Sequence, residues 1–194
     1  MIVGHYASAL IPYAKNREYP FWLLLLCANI PEFLWLLLAL VGVETPQPAS
    51  LFDATLQNLQ VQMPFSHNLL PGLFQALITA AIIFAVTRKR ALTAWCGALV
   101  FWHVLCDAVV GYDHQLLGPG SVTTSLNTYV TMPHVALTIE LVFAVAAVAW
   151  FDYARHRDGV PLTRGRRIAL YALFTIGIAS WYPVATTPLR QMLH

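Results

Sequence analysis

Apolar residues run in long blocks rather than in strict alternation, and polar or charged positions bound each block. Crossing the hydrocarbon core takes about 20 helical residues, and stretches of that order lie at 21–43, 69–86, 92–111, 132–150 and 168–186. The pattern predicts an all-α polytopic membrane bundle of five spans, one integral membrane domain over residues 1–194. A further apolar stretch, 2–14, is too brief to cross and reads as a half-span or re-entrant helix, which lipid tolerates only where neighbouring helices bury it. After the first span, Ser50-Leu51-Phe52-Asp53 resembles a capping box. Leu51, Phe52, Thr55, Leu56, Leu59 and Met63 then recur at helical spacing, which predicts an interfacial helix. The connection 112–131 carries Gly118-Pro119-Gly120-Ser121, turn chemistry without an apolar period.

Composition sharpens this picture. Of 194 residues, 58% are hydrophobic and only 10% charged, with a mean hydropathy of +0.62, far from the balance of soluble domains. The formal charge of +2 is too small for a nucleic-acid partner. The basic residues gather at Lys15 and Arg17, at Arg88–Arg90, and at Arg155, Arg157, Arg164, Arg166 and Arg167, which are alternate connections and therefore expected to be cytoplasmic. The connections 44–68 and 112–131 contain no Lys or Arg and are expected outside. Cys27, Cys96 and Cys106 all fall in apolar stretches and read as core thiols. No cleavage site follows the N-terminus, so the first long run is expected to be retained.

Three acids, Glu32, Asp107 and Glu140, fall within the spans, and no Lys or Arg does. A carboxylate at membrane depth costs on the order of 2.5–3.5 kcal/mol to insert. Each therefore needs protonation, a hydrogen-bonding neighbour or a bound cation, and His5, His67 and His103, in or at the ends of apolar segments, tip the balance toward a cation. His103 and Asp107 are four residues apart, on one helix face about 6 Å apart in rise. Zinc, manganese and iron(II) accept a mixed His and carboxylate set, whereas magnesium and calcium favour oxygens alone. The orientation places His103, Asp107 and Glu140 in the outer half of the bilayer, His67 at the outer mouth of the second span and Glu32 near the midplane. His67 and Glu32 are then expected roughly 15 Å apart in depth at 1.5 Å per residue, too far for one ion unless shifted helix boundaries, helix tilt or a break at Pro31 shrinks the gap. The alternative for each of these residues is a hydrogen bond to a neighbouring helix. His134 reads as interfacial, Asp113 and His114 as solvated loop residues, Trp22, Trp35, Trp150 and Trp181 as an aromatic belt, and Trp102 as a wall of the site.

Taken in order, Gly4-His5, Asn29-Ile30-Pro31-Glu32, Pro64-Phe65-Ser66-His67-Asn68, His103-x3-Asp107 and Glu140 resemble the bacterial integral membrane metal-dependent hydrolases, a group that includes the LexA-binding inner-membrane hydrolase-like proteins. That family shows an N-terminal Gly-His, a Pro-Asp motif, a Ser-His-Ser motif, a Ser-His with Asp four residues after the His, and a late Glu. The likeness covers the first three-quarters of the chain. It implies His5, His67, His103 and Asp107 as metal ligands, Glu32 as a further ligand or general base in place of the family's Asp, and Glu140 as a supporting or proton-handling acid. It also implies zinc, with manganese or iron as variants, a phosphoester or ester of a lipid-like substrate, and the inner (cytoplasmic) membrane of a bacterium with membrane lipid around the chain. The chain departs from the pattern. Glu32 replaces Asp, Leu34 stands where a second acid is usual, Asn68 replaces the second Ser, Trp102 replaces a Ser, and Gly111 and Tyr112 lie where some members have a further His. These departures keep open a non-catalytic accessory or structural subunit with protein partners in a larger membrane complex and a degenerate metal site. A haem-binding anchor with two intramembrane histidines on the iron is a third reading.

Overall fold

The computed structural model describes residues 1–50 and 52–193, so Leu51, part of the expected capping box, lies outside the described residues. Two short buried helices open the chain, α1 (Gly4–Ser8) and α2 (Leu10–Lys15), followed by α3 (Phe21–Ala28) and α4 (Ile30–Leu40), which meet at a 56° bend. Next come α5 (Leu69–Thr87), α6 (Arg90–Val109), the single turn α7 (Thr128–Thr131), α8 (Pro133–Arg157), α9 (Arg164–Ala179) and a short α10 (Leu189–Met192). Among the described residues α5, α6, α8 and the run Arg164–Ala185 are each long and apolar enough to cross a membrane, and the bent α3–α4 pair is a fifth if its two halves act as one span. The chain is a multi-pass helical membrane protein, as its apolar pattern predicts.

The bend has a local cause. Pro31 lacks an N–H and sits in the first turn of α4, while Asn29 leaves the helical region at φ −129°, ψ 13° and its Nδ2 donates to the Leu25 carbonyl at 2.9 Å. Ala28 is the last residue of α3, so its carbonyl is one that the helix itself cannot satisfy. The α5–α6 hairpin turns tightly through Arg88, at φ 55°. The two helices then approach closely at Gly97, where a Cβ would stand 3.1 Å from Ala80 Cβ and 3.2 Å from the Ala76 carbonyl oxygen. Lipid gives helices no hydrophobic reason to associate, so such close van der Waals packing is what holds them together.

The N-terminal helices lie between two apolar clusters. Ala7 and Leu10 pack with Leu137, Val148 and Ile178 of α8 and α9, and Ala9 packs with Leu24 and Val100 of α3 and α6. This is the burial that a half-span requires. Outward, α5 exposes Phe74, Leu77, Ile78 and Ile82, and α9 exposes Leu173 and Ile176, a surface suited to acyl chains and not to water.

Ion pairs tie the basic end together, Arg17 to Asp158 at 2.9 Å and Arg167 to Asp152 at 2.8 Å. At the other end, Leu69 and Leu70 donate their amides to the Gln115 and Leu116 carbonyls at 3.0 and 2.9 Å, so the 112–127 loop caps α5. The interfacial helix expected near 51–63 does not form among the described residues. Residues 52–59 make turns instead, and β2 (Gln60–Val61) pairs antiparallel with β1 (Pro46–Gln47). Asn58 Oδ1 accepts the Thr55 amide at 2.7 Å and Thr55 Oγ1 the Asn58 amide at 3.0 Å. These side chains capture the backbone groups that a helix would have used.

Candidate metal centre

Four separate segments bring side chains to one point. α1 supplies His5, the first turn of α4 Glu32, the turn before α5 His67, and α6 both His103 and Asp107. His5, Glu32, His103 and Asp107 each offer a ligand atom, all within 4.8 Å of one another. His67 joins them. Its Nε2 lies 3.3 Å from His103 Nε2, 3.4 Å from Asp107 Oδ2 and 3.8 Å from Glu32 Oε1. His103 Nε2 is 3.4 Å from Asp107 Oδ2 and 3.9 Å from Glu32 Oε1. The expected 15 Å gap in depth between His67 and Glu32 is therefore absent. Counting along straight helices fails here for two reasons. The bend at Asn29 swings α4, and residues 63–68 fold into the bundle as a turn in which the His67 amide donates to the Met63 carbonyl at 3.2 Å.

The hydrogen-bonding partners on the far side of each ring decide what meets in the middle. His103 Nδ1 lies 2.7 Å from the Ala28 carbonyl left over at the bend. A carbonyl only accepts, so Nδ1 carries the proton and Nε2 is a bare lone pair. Ser66 Oγ donates to Glu44 Oε2 at 2.6 Å and is 2.8 Å from His67 Nδ1, so His67 likewise donates from Nδ1 and leaves Nε2 bare. Asp107 Oδ1 accepts from the Met1 nitrogen and contacts His5 Nε2 at 3.0 Å, leaving Oδ2 turned to the two imidazoles. Two imidazole lone pairs and a carboxylate oxygen at mutual distances of 3.3–3.4 Å repel one another unless a cation lies among them. Ligands held about 2.0–2.2 Å from a tetrahedral ion stand about 3.3–3.5 Å apart, so the donor set fits a divalent ion. Outer partners that fix imidazole orientation are the usual support of such ligands.

Glu32 differs from the rest of the cluster, since its side chain is 33% exposed whereas those of His67, His103 and Asp107 are at most 6% exposed. It is the member that opens to the outside. His5 stacks on His103, ring centroids 3.5 Å apart, and its Nδ1 has no partner.

Glu140 lies behind α1. Its Oε1 accepts the amides of Ile2, Val3 and Gly4 at 2.9, 2.6 and 2.7 Å, and its Oε2 accepts the Tyr129 hydroxyl at 2.9 Å. A Cβ on residue 4 would stand 2.9 Å from Glu140 Cγ, so the glycine of Gly4-His5 is what lets α1 seat on this carboxylate. Glu140 positions the helix that carries His5. Trp102 does not wall the site: it is 41% exposed and packs toward Phe143. His134 is exposed beside Tyr182.

No family model, curated protein or solved structure matches this chain.

Two residues of the site escaped the reading of the chain. Glu44 is fully buried and, besides Ser66 Oγ, accepts the Phe65 and Ser66 amides at 2.7 and 3.1 Å. It organises the turn that presents His67, and its one signal in the chain is a carboxylate in a loop with few charges. His114 is not solvated. It is 2% exposed, stacks on His67 with centroids 5.6 Å apart, and neither ring nitrogen has a partner among the described residues. Its backbone is fixed instead, by Ser125 Oγ on its amide and the Thr124 amide on its carbonyl. Burial pushes its pKa down to about 3, and the nearby Met1 amine adds to this. Burial also holds His67 well below the usual histidine range, with His103 and His114 contributing.

Proposed function

We propose that this chain is a membrane-embedded metal-dependent hydrolase, akin to the bacterial integral membrane family that its motif series resembles, acting on a phosphoester or ester of a lipid-like substrate. The observation that carries the reading is the meeting of the bare His67 and His103 Nε2 atoms with Asp107 Oδ2 at 3.3–3.4 Å. His67, His103 and Asp107 would hold the ion, and His5 would complete the set from α1. Zinc suits two or three imidazoles with carboxylate. A divalent ion held there would supply Lewis-acid chemistry, lowering the pKa of a water to about 7 and polarising a phosphoryl or carbonyl oxygen. Glu32, the half-buried acid at 3.8–3.9 Å from the two imidazoles, would accept the proton of an attacking water and return it to the leaving group. Ala28, Ser66 and Glu44 hold the imidazoles so that no reorientation is needed. With the basic end cytoplasmic, the site faces the outer half of a bacterial inner membrane and substrate enters from that leaflet.

Elemental analysis of the purified, detergent-solubilised chain tests this directly. The unmutated protein should hold about one equivalent of a transition metal and Asp107→Asn much less, because Asn keeps the shape of Asp while removing its charge. Hydrolysis of lipid phosphodiesters or esters should disappear with the metal and, in Glu32→Gln, should fall with the metal retained. Protein that copurifies with partners and carries no metal would overturn the hydrolase reading and favour the accessory-subunit alternative.

A further inference from the structure

Beside the metal centre, at the end of the bundle opposite the basic loops, lies a cavity of about 410 Å³, within the size that takes a small-molecule group. Two segments of its wall connect it to the cluster. Asn68 follows the ligand His67 in the chain, and the 112–115 segment sends Tyr112, Asp113 and Gln115 to the cavity while His114 turns the other way and stacks on His67. The cavity wall includes none of the five cluster side chains, so the cavity adjoins the cluster through these two segments without sharing its candidate ligands.

The chemistry of the wall is distinctive. Five amide side chains line it, among them Gln60, Gln115 and Asn127, together with the phenol of Tyr112 and one carboxylate, Asp113, and no Lys, Arg or His. The Tyr112 hydroxyl and Asn127 Oδ1 are buried without a hydrogen-bond partner, and both residues belong to this wall. The connections 44–68 and 112–131 contain no Lys or Arg, and Arg190, which reaches this end, is held at 3.0 Å by Asp53. An anionic group would meet Asp113 and no counter-charge. An ammonium, which only donates, would leave the amide N–H groups without acceptors. Hydroxyls both donate and accept, as amides and phenols do, and satisfy this wall.

We propose that the cavity is the headgroup subsite of the lipid substrate and takes an uncharged, hydroxyl-rich head, a polyol or a sugar. This rests on the hydrolase reading above for the identity of the site that it adjoins, and two measurements separate the two. The first is kcat/KM of the metal-loaded full chain for diacyl phosphodiesters that differ only in the alcohol beyond the phosphate: inositol, glycerol, ethanolamine and serine. The inositol and glycerol lipids should be cleaved at least ten-fold better, and Tyr112→Phe, which removes one unpartnered hydroxyl and little else, should raise their KM and erase most of the preference. The second is binding of the same four lipids to Asp107→Asn in nanodiscs, measured by native mass spectrometry, which should show the same order of preference without turnover. Equal cleavage of all four, unchanged in Tyr112→Phe, would overturn the subsite while leaving the hydrolase standing. Preferential binding of the inositol and glycerol lipids with none of the four cleaved would support the subsite and count against the hydrolase.

Discussion

The His67 and His103 imidazoles are each held by an atom outside the candidate ligand set, Ser66 Oγ and the Ala28 carbonyl. For His67 that chain runs through Ser66 to Glu44, so Glu44→Gln should loosen the turn before α5 and weaken metal binding by about 10–100-fold, as loss of such outer partners commonly does. Competition with a chelator of known affinity checks this, and an unchanged affinity would show that the turn holds His67 unaided. His114 makes a pH prediction. Its folded pKa of about 3 lies below the ordinary 6.5, so the unfolded chain takes the proton first. Its contribution is therefore complete above about pH 6.5 and lost as pH falls toward 3, at up to about 1.4 kcal/mol per pH unit. Melting curves at pH 7, 5.5 and 4 should show His114→Phe losing less midpoint than the unmutated chain, and identical slopes would show that His114 does not stay neutral. At this scale the residues of the cluster were legible, because a membrane makes every unpaired acid and imidazole conspicuous. Glu44 and His114 were not, since residues in a polar loop look solvated until the loop is seen folded into the bundle.

At the scale of elements, apolar run length located the spans well because lipid enforces it. The same rule is blind to what interrupts a run. Pro31 marked a possible break, but the 56° bend, the reach of α4 and the use of the Ala28 carbonyl depend on how α3 packs against α6. The failed interfacial helix has a similar origin, since the spacing of Leu56 and Met63 suited a helix while Asn58 and Thr55 closed turns that spacing does not register. The α5–α6 hairpin yields a prediction of its own. With Ala80 and the Ala76 carbonyl 3.1–3.2 Å from a Cβ at residue 97, Gly97→Leu should separate the helices and cost about 1–3 kcal/mol, the usual penalty of overpacking. Gly165→Leu serves as the control, because nothing lies within 4 Å of a Cβ there. Equal thermal midpoints for the two variants would show that the hairpin packs less tightly than the distances indicate.

For the molecule as a whole, alternate basic connections predict the orientation, and with it the side of the membrane toward which the cluster lies. Single cysteines introduced as Lys89→Cys and Gly118→Cys should react with a membrane-impermeant thiol reagent from opposite sides, Gly118→Cys from outside the cell and Lys89→Cys only after permeabilisation. The reverse result would turn the site and its cavity toward the cytoplasm. That the chain is built of helices long and apolar enough to cross a membrane was legible from its apolar runs. That the short first segment is buried by its neighbours followed from the same run lengths, since a stretch too brief to cross is tolerated only there, whereas its seat between α3 and α6 on one side and α8 and α9 on the other had no local signal.

The seat of that first segment sets an order of events in synthesis. The Gly4 amide and the Glu140 carboxylate that receives it are 136 residues apart, and at about 5–20 residues per second the ribosome needs roughly 7–27 s to pass from one to the other. For that interval α1 exists without the acceptor that fixes it, while α3 to α6 are made and can already bring Glu32, His67, His103 and Asp107 together. His5 belongs to the earliest-made part of the site and is the last of its residues to be secured.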